Sequence, residues 1–235
     1  YAQPAPGTYN PSPHYSPREL EREHRICDLC GKVETPSVRF RFCGGCMTAV
    51  YCSQDCQKAH WPSHKSICQY TAQSVKKADE NVDGDVAKNL RKFSSAHLSL
   101  LEWAGFQALQ LKRIPANIRQ NALLIKMSYR KQVDSNSQFS ITSTDVVPRS
   151  YFHDPLIIAD IQRREERCRQ KGGIGILLII VQCGTTAQVI PVEIGHPAKI
   201  SWDFCDDWNQ VLSQFVESGR TDFKPPATTS QGISF

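Results

Sequence analysis

Between residues 27 and 68 the chain reads C-x2-C-x12-C-x2-C-x5-C-x3-C-x7-H-x3-C. Seven of its ten cysteines and two histidines fall in that stretch, one of the histidines completing the pattern. Structural zinc takes four thiolate or imidazole ligands, and pairs two or three residues apart converge on one ion without backbone strain. Eight ligands are enough for two tetrahedral zinc ions. A disulfide framework is the competing reading of so many cysteines, but the odd count and the histidine argue against it. Two histidines compete for the last position, His60 and His64. The spacing favours His64, because residues four apart share a helical face and His64 stands four before Cys68. His60 is then expected to be a surface residue at a helix end, beside Trp61.

Local signals inside the stretch agree with a small metal-built fold. Gly31 follows the first cysteine pair, where a chain commonly turns through positive φ around a metal. Val38 to Phe42 alternates apolar with basic residues, the period of a half-buried strand, and Ala49-Val50-Tyr51 is a short strand suited to pair with it. Cys43-Gly44-Gly45-Cys46 reads as a knuckle. Ser53 is placed to cap a short helix carrying Cys56, and Pro62 suits the first position of a second short helix carrying His64 and Cys68.

With Tyr51-Cys52-Ser53-Gln54-Asp55-Cys56-Gln57 and Trp61-Pro62-Ser63-His64-Lys65, this spacing resembles the MYND-type zinc finger over roughly residues 27–68, under a fifth of the chain. The resemblance implies a cross-braced arrangement in which alternate pairs share a metal. One zinc takes Cys27, Cys30, Cys52 and Cys56; the other takes Cys43, Cys46, His64 and Cys68. It also implies a protein partner, bound as an extended, proline-containing peptide along the short strand. Gln57 and Trp61 stand where peptide-binding members of the family use a glutamine and a tryptophan. Gly44 departs from relatives that carry a hydroxyl side chain there.

The rest of the chain is expected to be a second domain. Residues 1–25 hold five prolines (Pro4, Pro6, Pro11, Pro13 and Pro17) and almost no aliphatic residue, the composition of a disordered tail. Residues 26–69 are the finger, 70–85 a polar linker, 86–219 an α+β domain, and 220–235 a second disordered tail. Val86, Leu90, Phe93, His97, Leu101, Ala104, Ala108 and Leu111 mark one face of a helix that Pro115 closes, with Asp85 as its cap. His97 is read as a core or boundary histidine. Strands are expected at Asn121 to Tyr129, Phe139 to Val147, Ile174 to Gln182 and Ala187 to Ile194. Helices are expected over residues 154–171 and 202–218. The fold class is α+β, with about four strands and flanking helices laid against one side. The charges from Arg163 to Lys171 alternate in sign and are expected to form a solvated helix face.

Formal charge is +5, but two zinc ions and seven thiolates lower it to about +2, which is not a nucleic-acid footprint. No apolar run approaches the roughly 20 residues needed to cross a bilayer. Thiolate ligands and the lack of a recognisable secretory leader lead to the expectation of an intracellular protein. No enzyme signature accompanies the finger. The Asn-His-Ser-Cys stretch of SET methyltransferases is missing, and His153-Asp154 cannot supply a facial His-x-Asp pair. Gly172-Gly173-Ile174-Gly175 enters a strand and not a helix, so it is not a phosphate cradle. Cys168, Cys183 and Cys205 are isolated thiols, inert by default. The expectation is a non-enzymatic zinc-binding interaction protein, the alternatives being an active site within residues 86–219 or a nucleic-acid-binding regulator.

Overall fold

In a computed structural model the described residues are 25–35, 37–80, 84–131, 137–196, 198, 200–229 and 232–234. The expected N-terminal tail lies outside them except for Arg25. The finger opens with β1 (Arg41–Phe42) and β2 (Val50–Tyr51), paired antiparallel, followed by α1 (Gln54–Glu80). Ser53 caps α1 as expected, its Oγ accepting from Cys56 N at 3.2 Å.

The expected pair of short helices is instead one helix. Pro62 lies inside α1, which continues past Cys68 through the segment expected to be a linker. A proline removes one ladder hydrogen bond, a cost that buried neighbours on the same helix can offset. The finger boundary expected at residue 69 therefore falls within a helix.

Beyond it, α2 (Gly84–Ala96) and α3 (Leu98–Ala108) replace the single helix expected from Val86. The break is at His97, whose Nδ1 lies 3.0 Å from the Phe93 carbonyl and whose ring stacks on Phe93. His97 is buried, as expected of a core histidine. Asp85 sits in the first turn of α2 and is not its cap. The helical path ends at Ala108, and Gln110 adopts φ 52° before Pro115 is reached.

A four-stranded sheet follows, built from β3 (Asn121–Tyr129), β4 (Phe139–Pro148), β5 (Gly175–Cys183) and β6 (Thr186–Ile194) in the order β4-β3-β5-β6. The two hairpins β3-β4 and β5-β6 are antiparallel, and β3 pairs with β5 in parallel. A parallel join needs a crossover, which α4 (Pro155–Gln170) provides. Asp154 caps α4 by accepting from Leu156 N at 2.8 Å and Ile157 N at 3.3 Å.

The helices do not lie against one side as expected; they cover both faces. Leu123, Ile125, Met127, Leu177, Ile179 and Val181 pack with α2 and α3, and with α5 (Trp208–Glu217). Ala122, Leu124, Ile176, Leu178 and Ile180 pack against Ile161 and Cys168 of α4. Burial of both faces explains why β5 is apolar without alternation.

The last helix begins at Trp208, later than expected. Buried Gln107 holds the preceding segment as a loop, donating to the Asp203 carbonyl at 2.7 Å and accepting from Cys205 N at 3.2 Å. Trp202 meets Phe106 edge-on from that loop. Residues 220–235, expected to be a disordered tail, carry Phe223 against Trp103 and Phe215, then a hairpin of β7 (Ala227–Thr229) and β8 (Gly232–Ser234). Packing of Phe223 against two aromatic rings contributes to holding that stretch on the domain. No helix of the described residues is long and apolar enough to cross a membrane.

Candidate metal centre

The eight expected ligands gather into two sets. Cys27, Cys30, Cys52 and Cys56 form one; Cys43, Cys46, His64 and Cys68 form the other; within each set the ligand atoms lie within 4.8 Å of one another. In the first, the Cys30 and Cys52 sulfurs are 3.6 Å apart and those of Cys52 and Cys56 3.5 Å apart. In the second, Cys43 and Cys68 are 3.6 Å apart, and Cys46 Sγ lies 3.5 Å from His64 Nε2. A zinc–sulfur distance of about 2.3 Å places tetrahedral sulfurs about 3.8 Å from each other. A disulfide would bring them to about 2.0 Å. The spacing therefore fits a shared cation and excludes bridging.

The chemistry of the donors agrees. Burial and the neighbouring Cys43 push the Cys68 thiol up to about 12, and burial with Cys56 and Cys30 does the same for Cys52. Thiolates this crowded cannot all form unless a cation neutralises them. With four protein ligands per ion, each zinc is structural and has no open position for substrate.

Local backbone conformation delivers the ligands. Gly31 takes φ +68° as the chain leaves the first knuckle, as its position in the sequence predicts. At the second knuckle neither glycine adopts positive φ; the left-handed residue is Met47, at φ 55°. Gly45 is needed for space, since a Cβ there would stand 2.7 Å from Cys68 Sγ. The long loop between the second and third ligands is tied by buried Glu34, which accepts from Phe40 N at 2.7 Å and donates its own N–H to the Arg25 carbonyl at 2.7 Å.

His60 is not the expected surface residue. It is 3% exposed, its Nδ1 is 2.9 Å from the Tyr51 hydroxyl, and its ring stacks on His64 at 5.3 Å. The helix does not break at Trp61, so His60 faces inward one turn before His64. Burial and nearby Arg163 hold its imidazole down at about 4, a neutral ring that braces the ligand beside it.

The acid beside the first ligand was not singled out by the sequence pattern. Asp28 is buried, accepts from Val50 N at 2.7 Å, and returns its own N–H to the Val50 carbonyl at 2.8 Å. Its other carboxylate oxygen faces Arg164 at 2.7 Å. Arg164 in turn bonds Asp160 at 2.7 Å. Burial alone would raise the Asp160 carboxyl, but Arg164 and Arg163 outweigh it and hold it at about 2.

The run from Arg163 to Lys171 is therefore solvated on one side only, where Glu166 and Arg169 are exposed and paired with each other. Arg163 and Arg167 both donate to the Asp28 carbonyl, Arg167 also pairs with Glu193, and Lys171 donates to the Gly31 carbonyl at 3.2 Å. Alternating charge within one helix says nothing of an acid in another segment. The sequence offers no signal for it, since Leu29, Gly44 and Gly45, likewise placed between paired ligands, are exposed.

The residues expected to bind peptide stand apart from this interface. Gln57 and Trp61 occupy successive turns of α1, Gln57 half-buried and Trp61 40% exposed, with the indole edge-on to His64 at 6.3 Å. Gly44 is exposed, and a Cβ on it would meet nothing within 4 Å.

Comparison with known proteins singles out the same segment. Residues 27–68 match the model of the MYND finger family. The chain is 39% identical over 49 residues to Egl nine homolog 1 of Mus musculus and 40% identical over 62 residues to Dauer abnormal formation protein 25 of Caenorhabditis elegans. It is 45% identical over 42 residues to the MYND-type zinc finger protein samB of Aspergillus clavatus. Those alignments cover 21%, 26% and 18% of this chain, and only 11%, 16% and 7% of the respective relatives. No solved structure matches. Residues 27–68 thus form a MYND finger, a protein-interaction module built on two zinc sites.

Proposed function

We propose that the finger recruits a protein partner by binding an extended, proline-containing peptide along β1 and against Trp61, and that the chain itself carries no enzymatic activity. The exposure of Trp61 carries this reading. A zinc finger this small has few large apolar side chains, and an indole left 40% exposed at the rim of the second zinc site is surface available for contact. Its flat face suits a proline or leucine side chain, while the Gln57 amide, one turn earlier, can pair with peptide backbone. Asp28 closes the outer side of β2 through both Val50 hydrogen bonds, which leaves β1 as the strand to which a peptide can add.

Two further features favour an interaction module over the alternatives. A cavity of about 270 Å³ between the finger and the sheet has His64, Asp160 and Arg164 among its wall residues. The first belongs to a zinc site and the other two are bonded to each other, so none is available for acid–base chemistry. Arg163, Arg164, Arg167 and Lys171 are engaged with Asp28 and with finger carbonyls, which argues against that side of the helix as a phosphate-binding surface.

Titration of proline-rich peptides against the wild type, Gln57→Ala and Trp61→Ala, with zinc content checked in each, tests the reading. Wild type is expected to bind, and Trp61→Ala to lose at least tenfold in affinity while keeping both metals. Absence of binding at millimolar peptide, or full affinity in both variants, overturns it.

A further inference from the structure

The two zinc sites differ in charge and in exposure. Four thiolates around a divalent cation leave the first site with a net charge of −2, whereas three thiolates and a neutral imidazole leave the second at −1. All four ligands of the second site are buried. In the first only Cys27 is buried, Cys52 and Cys56 are half-covered, and Cys30 is exposed. A more anionic, more open thiolate site is the one at which thiol reagents act first.

What shields this site comes from the other half of the chain. The backbone of residues 27–31 has three of its carbonyls facing α4: Cys27 O lies 3.5 Å from Arg167 Nη1, Asp28 O accepts from Arg163 and Arg167, and Gly31 O accepts from Lys171. The Asp28 carboxylate, between two ligands in sequence, is closed by Arg164. Gly31, required by its φ of +68°, lies directly under the Lys171 side chain. The finger's apolar cluster shares no residue with the clusters of the sheet domain. Polar and ionic contacts join the first knuckle to α4, with cavities of about 270 and 200 Å³ between the finger and the sheet domain.

We propose that the basic face of α4 is the outer shell of the first zinc site, so that metal occupancy of Cys27, Cys30, Cys52 and Cys56 and docking of the finger on the sheet domain are one linked equilibrium. The knuckle presents its carbonyls and Asp28 in the α4-binding arrangement only while the four sulfurs are drawn together. The cations of α4 in turn neutralise an anionic centre and fix the knuckle carrying two of its ligands, as outer-shell partners do in metal sites generally. Linkage is reciprocal: whatever frees α4 loosens the first metal, and loss of that metal frees α4. Among the described residues no hydrogen bond joins α4 to a ligand of the second site; Cys46 and His64 line a cavity with Asp160 and Arg164, and all four ligands are buried.

The test uses the zinc-loaded full chain. Zinc release to a chromogenic chelator is followed while cysteine alkylation, read by mass spectrometry, reports which site has opened, and hydrogen exchange reports on residues 155–170. Wild type is expected to release zinc in two phases, with Cys30, Cys52 and Cys56 alkylated in the faster one and exchange in α4 rising at least tenfold as that phase completes. Lys171→Met and Arg167→Gln are expected to accelerate the faster phase about tenfold and leave the slower one unchanged. Lys171 is exposed, so its replacement does not endanger folding. Alkylation of Cys43, Cys46 and Cys68 first, α4 exchange indifferent to loss of the first metal, or release rates unaltered in both variants would each overturn the proposal.

Discussion

Asp28 and Arg164 meet at 2.7 Å although one lies between two zinc ligands and the other on the crossover helix of a sheet domain. Both are nearly inaccessible to solvent, at 3% and 7% exposure. Each charge is compensated more than once: Asp28 by Val50 N and Arg164, and Arg164 by Asp28 and Asp160. A buried pair adds little stability over a well-packed apolar pair, but removing Arg164 takes away the nearest cation of Asp28 and leaves Arg167 at 3.4 Å and Arg163 at 3.9 Å.

Arg164→Met is accordingly expected to destabilise the protein by about 3–5 kcal/mol, whereas combining it with Asp28→Asn recovers part of that loss. Chemical denaturation of both single variants and the double variant gives the coupling. Strict additivity would show that the two side chains do not sense one another.

Purified protein is expected to contain two zinc ions per chain, because each of the two ligand sets provides four donors. Metal analysis decides this. One ion per chain, or none with intact disulfides, would contradict the sulfur spacing.

Gly45→Ala is expected to weaken the second site selectively. The added methyl would stand 2.7 Å from Cys68 Sγ, inside van der Waals contact with an atom whose place the metal dictates. The measurement is zinc content with site-resolved alkylation, and greater reactivity of Cys43, Cys46 and Cys68 is the expected result. Gly44→Ala is the control, since a Cβ there meets no atom within 4 Å.

His60 predicts a pH dependence. Burial and Arg163 hold the folded-state imidazole at about 4, below its ordinary value of 6.5. Between those values the unfolded chain binds a proton that the folded chain does not, so stability is fully present above about 6.5 and falls as the pH drops toward 4. His60→Gln should remove up to about 1.4 kcal/mol per pH unit of that slope. Denaturation of both proteins across the interval, compared as a difference, separates His60 from the zinc ligands they share. Parallel slopes would mean that His60 titrates alike in the folded and the unfolded chain.

The sequence by itself determined every element whose cause is local. Ligand identity followed from spacing, because residues two to four apart must converge on a common point, and His64 was separable from His60 by its position one turn before Cys68. β3 and α4 were readable nearly to the residue, since strand composition, a cap at Asp154 and glycines after Lys171 all act within a few positions. The sharing of metals between alternate pairs was available only by resemblance, because spacing says which residues are ligands and not which of them meet. Tertiary structure decided the rest. Pro62 is tolerated inside α1 and His60 is drawn inward because neighbours on the same helix are buried. The last helix starts late because Gln107 captures the loop before it. Helices cover both faces of the sheet because β3 and β5 run parallel and the connection must cross. Above all, the charges of α4 read as a solvent-facing pattern until Asp28 is brought against them. A charge's environment is set by what folding places next to it in space, and neither Asp28 nor Arg164 has its partner nearby in sequence.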